Sequence, residues 1–139
     1  MSGMKAGLFY PTWPDIGGSY LPAILFDLDL WTVDNFANYE QNPLAVTLFH
    51  FLHRNIAYLL TIIVLAYFFM SRKHWNNTIF KQSSTVLITM LIIQILLGII
   101  TLINCVGVIP ITFGVLHQAG ALFLLSIVLF MNYQMKEIK

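Results

Sequence analysis

The sequence predicts an all-α membrane protein of one domain, with three transmembrane helices behind an irregular N-terminal segment. Three observations carry this. Of the 139 residues, 58% are hydrophobic and 9% charged, whereas soluble chains carry about 25% charge. Three apolar runs, at about 48–70, 85–105 and 111–133, are each long enough to cross a hydrocarbon core of about 30 Å as a helix. Both basic segments fall on one side of such a chain, with Arg72, Lys73, His74 and Lys81 after the first run and Lys136 and Lys139 at the end. By the positive-inside rule that side is the cytoplasm, while Arg54 breaks the rule by sitting at the outer end. Segment 1–46 and the short 106–110 turn then lie outside.

Each element has a local reason. Pro11, Pro14, Gly17, Gly18, Pro22 and Pro43 break long helices in segment 1–46. Trp13, Tyr20, Phe26 and Trp31 alternate there with Asp15, Asp27, Asp29, Asp34 and Glu40. Amphipathic rings among acids suit the headgroup level of a bilayer, and 34–41 fits a short surface helix. Residues 1–10 contain no apolar core of a signal peptide. Gly107 suits a tight turn and Pro110 the first turn of the third helix. Helices two and three therefore form an antiparallel hairpin. Net charge is +1 with no basic cluster, which excludes nucleic acid as a partner. Cys105 is the single cysteine, so an internal disulfide and a Cys-rich metal site are both excluded.

The chemistry gathers in two stretches. Phe49-His50-Phe51-Leu52-His53-Arg54-Asn55-Ile56-Ala57-Tyr58 opens the first spanning run, and Leu116-His117-Gln118-Ala119-Gly120 lies inside the third. Ionisable groups at membrane depth are costly and mark function. His53 is six residues past Thr47 and His117 six past Ile111, so both sit about 9 Å below outer helix starts placed there. Two imidazoles at one level suit a bis-histidine site. Two ligands are too few for closed zinc, which takes four, but are enough for haem iron, whose porphyrin supplies the rest. Gly114, His117, Gly120 and Ala121 share a helical face, as do His50, His53 and Ala57. Small residues beside a histidine leave room for a ring or for close helix contact. The stripe Gln94, Gly98, Thr101 and Cys105 reads as helix packing. His50 fits a gate, a proton relay or an interfacial polar residue, and His74 a solvated loop position. Arg54 can snorkel to lipid phosphates or, with a haem present, bind its propionates with a fork of fixed donors.

At these residues the chain resembles the heme A synthase family. The resembling pieces are Gly3-Met4-Lys5-Ala6-Gly7-Leu8 with Tyr10-Pro11-Thr12-Trp13-Pro14, and Phe51-Leu52-His53-Arg54-Asn55-Ile56-Ala57-Tyr58. Gln94-Ile95-Leu96-Leu97-Gly98-Ile99 with Thr101-Leu102, and Leu116-His117-Gln118, follow in the family's order. The resemblance implies a duplicated four-helix haem-binding bundle, of which this chain is similar to the second half without its first helix. It implies a b-type haem on His53 and His117, with haem O as the substrate of the complete protein. Its ring methyl would be oxidised to a formyl for cytochrome oxidase biogenesis. It also implies the lipid bilayer of a bacterial inner membrane, a matching N-terminal half or oligomer partner, a haem O synthase and an electron donor. His50 departs from the pattern, which has glutamine there. Two other readings use the same residues: a bis-histidine b-type cytochrome for electron transfer, and a cofactor-free membrane assembly or structural protein.

Overall fold

The computed structural model describes residues 6–39 and 42–137. The sequence piece 3–5 and the end of the expected 34–41 helix lie outside them. Among the described residues the chain is helical, without strands beyond one isolated antiparallel bridge between Ile16 and Ser19. Two short helices, α1 (Ala6–Phe9) and α2 (Val33–Ala37), precede three long ones. These are α3 (Pro43–Ser71), α4 (Thr78–Ile103) and α5 (Ile111–Glu137). All three are long and apolar enough to cross a membrane. At 1.5 Å per residue even the 26-residue α4 measures about 39 Å, more than the hydrocarbon core needs.

Two helices start earlier than their apolar runs. α3 begins at Pro43 because Asn42 caps it: its Oδ1 accepts from the Leu44 N–H at 2.8 Å, and Pro43 takes the first helical position, where no N–H is needed. α4 begins at Thr78 because Asn77 Oδ1 accepts from the Phe80 N–H at 3.1 Å. The polar residues of its first turns are helical, with Phe80, Ser83, Ser84 and Leu87 buried. Hydropathy finds the stretch that meets lipid; caps decide where the helix begins.

The chain divides into two compact units. The first, Met1–Ala57 with Ile99–Ile111, holds the N-terminal segment, the start of α3 and the end of α4. Here α1 lies on the end of α4: a Cβ at Gly7 would come within 2.8 Å of Cys105 Sγ. Leu44, Ala45, Val46 and Thr47 on α3 are buried. Thr47 donates to the Pro43 carbonyl at 2.7 Å, and its hydroxyl meets that of Tyr10 at 3.0 Å. Gly107 adopts φ +71° in the connection after α4, the left-handed turn expected of it.

The second unit, Tyr58–Gly98 with Thr112–Lys139, holds the rest of the three long helices. Its core is Phe80 and Leu87 of α4 against Ile127 and Met131 of α5, flanked by Val64, Tyr67, Trp75 and Leu124. The low-numbered end of α4 meets the high-numbered end of α5, so the pair is antiparallel. Ser71 and Ser84 are both buried, with hydroxyls 3.4 Å apart. Small polar residues of this kind let membrane helices approach closely where lipid removes the hydrophobic drive.

Candidate functional site

Within the first unit the polar centre is Arg54. It is only 8% exposed, and its guanidinium is spent on backbone. Nη1 donates to the carbonyls of Pro14 at 2.7 Å and Asp15 at 2.5 Å. Nη2 donates to the carbonyl of Thr12 at 2.9 Å and to His50 Nε2 at 3.0 Å. Those four bonds match the four N–H groups of the two terminal nitrogens.

The turn that offers the carbonyls builds itself from its own sequence. Thr12 Oγ1 donates to the Asp15 carbonyl and accepts from the Gly17 N–H, both at 2.9 Å. Asp15 Oδ1 accepts from the Gly18 N–H at 3.1 Å. Gly17 and Gly18 take φ of +62° and +92°, which residues with a side chain rarely adopt. A Cβ on Gly17 would also strike the Tyr10 ring at 2.9 Å.

His50 is fully buried, and its Nε2 accepts from Arg54, since a guanidinium only donates. The neutral ring therefore carries its proton on Nδ1, a buried donor with no hydrogen-bond partner among the described residues. Tyr10 lies beside the ring, at 6.3 Å between centroids. His53, three residues on, is exposed. It lies ten residues into α3, because that helix starts at Pro43.

Within the second unit His117 lies six residues into α5 and is half-buried. Its Nδ1 is 3.2 Å from the Gln94 backbone carbonyl. A carbonyl only accepts, so Nδ1 carries the proton and Nε2 of the neutral ring keeps the lone pair that a metal takes. The Gln94 side chain answers from the other direction, its Nε2 donating to the His117 carbonyl at 2.8 Å. Two glycines make this reciprocal pair fit. A Cβ on Gly98 would lie 2.9 Å from His117 Cε1, and one on Gly120 would overlap the Gln94 Oε1. Gly114, on the same face of α5, borders open space.

Sequence spacing assigned the Gln94 stripe to plain packing and missed that it holds His117. The signal was present as a glutamine and a glycine four apart. Which face of α5 they meet is not written in the period. His74 sits in the 3₁₀ turn Arg72–His74, edge-on to Phe80 at 5.9 Å. Among the described residues no three His, Cys, Asp or Glu side chains gather as a metal site. A groove of about 570 Å³ lies along Thr78, Lys81, Gln82, Thr85 and Val86, at the end of α4 remote from Gln94.

A helical frame with three spans, carrying a carbonyl-held imidazole and a clamped arginine within its apolar helices, defines a multi-pass membrane protein. The chain belongs to the COX15-CtaA family, described as cytochrome oxidase assembly protein, whose match covers residues 1–129. It is 36% identical over 137 residues to the heme A synthase of Nitrosospira multiformis, covering 99% of this chain and 36% of that protein. Against the heme A synthase of Sinorhizobium fredii identity is 39% over 127 residues, 91% of this chain and 32% of the relative. Against that of Paracoccus denitrificans it is 28% over 129 residues, 93% and 31%. The chain thus spans about a third of the length of these curated relatives. No solved structure matches it.

Proposed function

We propose that this chain is the haem b-binding part of a heme A synthase, with His53 and His117 as the axial ligands of the iron. The complete protein would oxidise the ring methyl of haem O to the formyl of haem A. The observation that carries the reading is the His117 imidazole, held through Nδ1 so that Nε2 is left in the ligand tautomer. A backbone carbonyl on the far nitrogen is the usual support of a metal-bound histidine. Family membership and the relatives' names point the same way.

The residues fit a haem better than a protein-only metal site, because two histidines suffice when a porphyrin fills the remaining positions. Counted from the helix starts, His53 lies ten residues in and His117 six, so the equal depth read from the sequence does not hold, because α3 begins at Pro43 rather than near Thr47. His53 is exposed on α3. Arg54 would act on a haem carboxylate as a positive charge at this end of α3; its forked donors already hold the 12–15 turn. When bound, haem supplies redox chemistry, and the protein supplies ligation and orientation. The protein purified in detergent should carry protohaem with a low-spin ferrous spectrum. A chain that is colourless and cannot be loaded with haem would sink the reading.

For orientation we propose segment 1–46 outside and the C-terminus in the cytoplasm of a bacterial inner membrane, on the basic residues Arg72, Lys73, Lys81 and Lys136. Asp27 and Asn76 are both exposed. Asp27→Cys should react with an impermeant maleimide in intact spheroplasts, and Asn76→Cys only after lysis. The reverse pattern would invert the topology.

A further inference from the structure

We propose that Gln94, Gly98 and Gly120 are positioning residues that fix the tautomer and plane of the His117 imidazole. The inference rests on the reading of His117 as a haem ligand and extends it to three residues that act on the iron only through that imidazole. In α4 the carbonyl of residue 94 already accepts the N–H of residue 98 in the helix ladder. An outside donor reaches such a carbonyl only if nothing projects over it. Residue 98 stands one turn further along the same face, and it is glycine. The imidazole lies over that gap, 2.9 Å from where a Cβ would be, with Nδ1 3.2 Å from the Gln94 carbonyl.

The second half of the clasp works in reverse. The Gln94 amide reaches back to the His117 carbonyl, and Gly120, three residues beyond His117, makes the space it occupies. Two bonds running in opposite senses between one pair of residues define both the separation and the rotation of α4 against α5 at this level. The ring then has one N–H acceptor and one way to face, which a surface of apolar side chains would not impose. A ligand whose far nitrogen is held in this way is more basic and better oriented, and removal of such a support typically costs 10–100-fold in metal affinity.

The effect of each glycine is distinct. An alanine at 98 meets the imidazole itself, so the ring must tilt and its Nδ1–H leaves the carbonyl. An alanine at 120 meets the amide end of a flexible side chain, so Gln94 is displaced while the His117–carbonyl bond can survive. Gly98→Ala should therefore have the larger effect on the ring, and Gly120→Ala the larger effect on helix pairing.

The test uses the full chain in detergent with ¹⁵N-labelled histidine, without haem and with haem. Without haem, the His117 resonances, identified by their loss in His117→Gln, should report the Nδ1–H tautomer. In Gly98→Ala they should shift to a mixture of tautomers or to Nε2–H. With haem, Gly98→Ala should lower haem affinity about tenfold or more and shift the low-spin electron paramagnetic resonance g-values. Gly120→Ala should keep the tautomer with a smaller loss. The tautomer in the haem-free spectrum of the unsubstituted chain decides the matter even if ligation by His117 is disproved separately. An Nε2–H tautomer there would overturn the proposal. So would a Gly98→Ala protein with an unmoved tautomer and unmoved g-values.

Discussion

His117→Ala and His53→Ala should each abolish the low-spin haem spectrum, by loss of haem or by conversion to a high-spin, five-coordinate form. His50→Gln should retain it. The contrast follows from what each imidazole already does. His117 has its Nδ1 on a carbonyl, and His53 stands exposed on α3. His50 is fully buried with Nε2 held by Arg54, so it reaches no iron without breaking that bond. Pyridine haemochrome content and the reduced optical spectrum of the three variants read the result. A low-spin spectrum that survives in both alanine variants would remove the bis-histidine assignment, and loss confined to His50→Gln would move it up one turn of α3.

Arg54→Ala should destabilise the protein by about 3 kcal/mol and release the turn around residues 12–18. A hydrogen bond from a charged donor contributes about 1.5–3 kcal/mol, and this guanidinium makes three to carbonyls and one to His50. The full sum is not expected, because the turn is partly exposed and water can replace some of the donors. The buried His50 loses its bond from Arg54 as well, which adds a desolvation cost. Arg54→Lys should recover little, since one ammonium cannot serve carbonyls that a planar fork serves together. Detergent-denaturation midpoints and the rate of proteolysis between residues 10 and 19 measure both effects. Unchanged proteolysis and unchanged stability in Arg54→Ala would show that the clamp contributes nothing.

The three spans were legible because each apolar run exceeds the thickness of a bilayer core, and no soluble fold needs three such runs. The helix starts were less so. Asn42 and Asn77 are capping residues whose signal lies outside the hydropathy window. Val33–Ala37 is helical where 34–41 was expected, with Thr32 Oγ1 accepting from the Asn35 N–H at its start. Among site residues, His53 and His117 stood out because imidazoles are rare in apolar runs. The hold on Arg54 did not, because its acceptors are carbonyls about forty positions upstream, and main-chain atoms leave no mark in a sequence. The Gln94–His117 pair was hidden for a related reason: periodicity names the faces of a helix but not which face of another helix it meets.

The Arg54 clamp also says how this part of the chain can change over time. It grips oxygen atoms that every residue possesses, so the letters written at the turn matter to it only through the backbone path they permit. A change in length is different in kind. One residue inserted or deleted between Thr12 and Asp15 displaces the later acceptors by about 3.8 Å, beyond any hydrogen bond the guanidinium could keep. Apart from Thr12, Asp15, Gly17 and Gly18, which shape the turn itself, the segment should tolerate respelling and resist recounting.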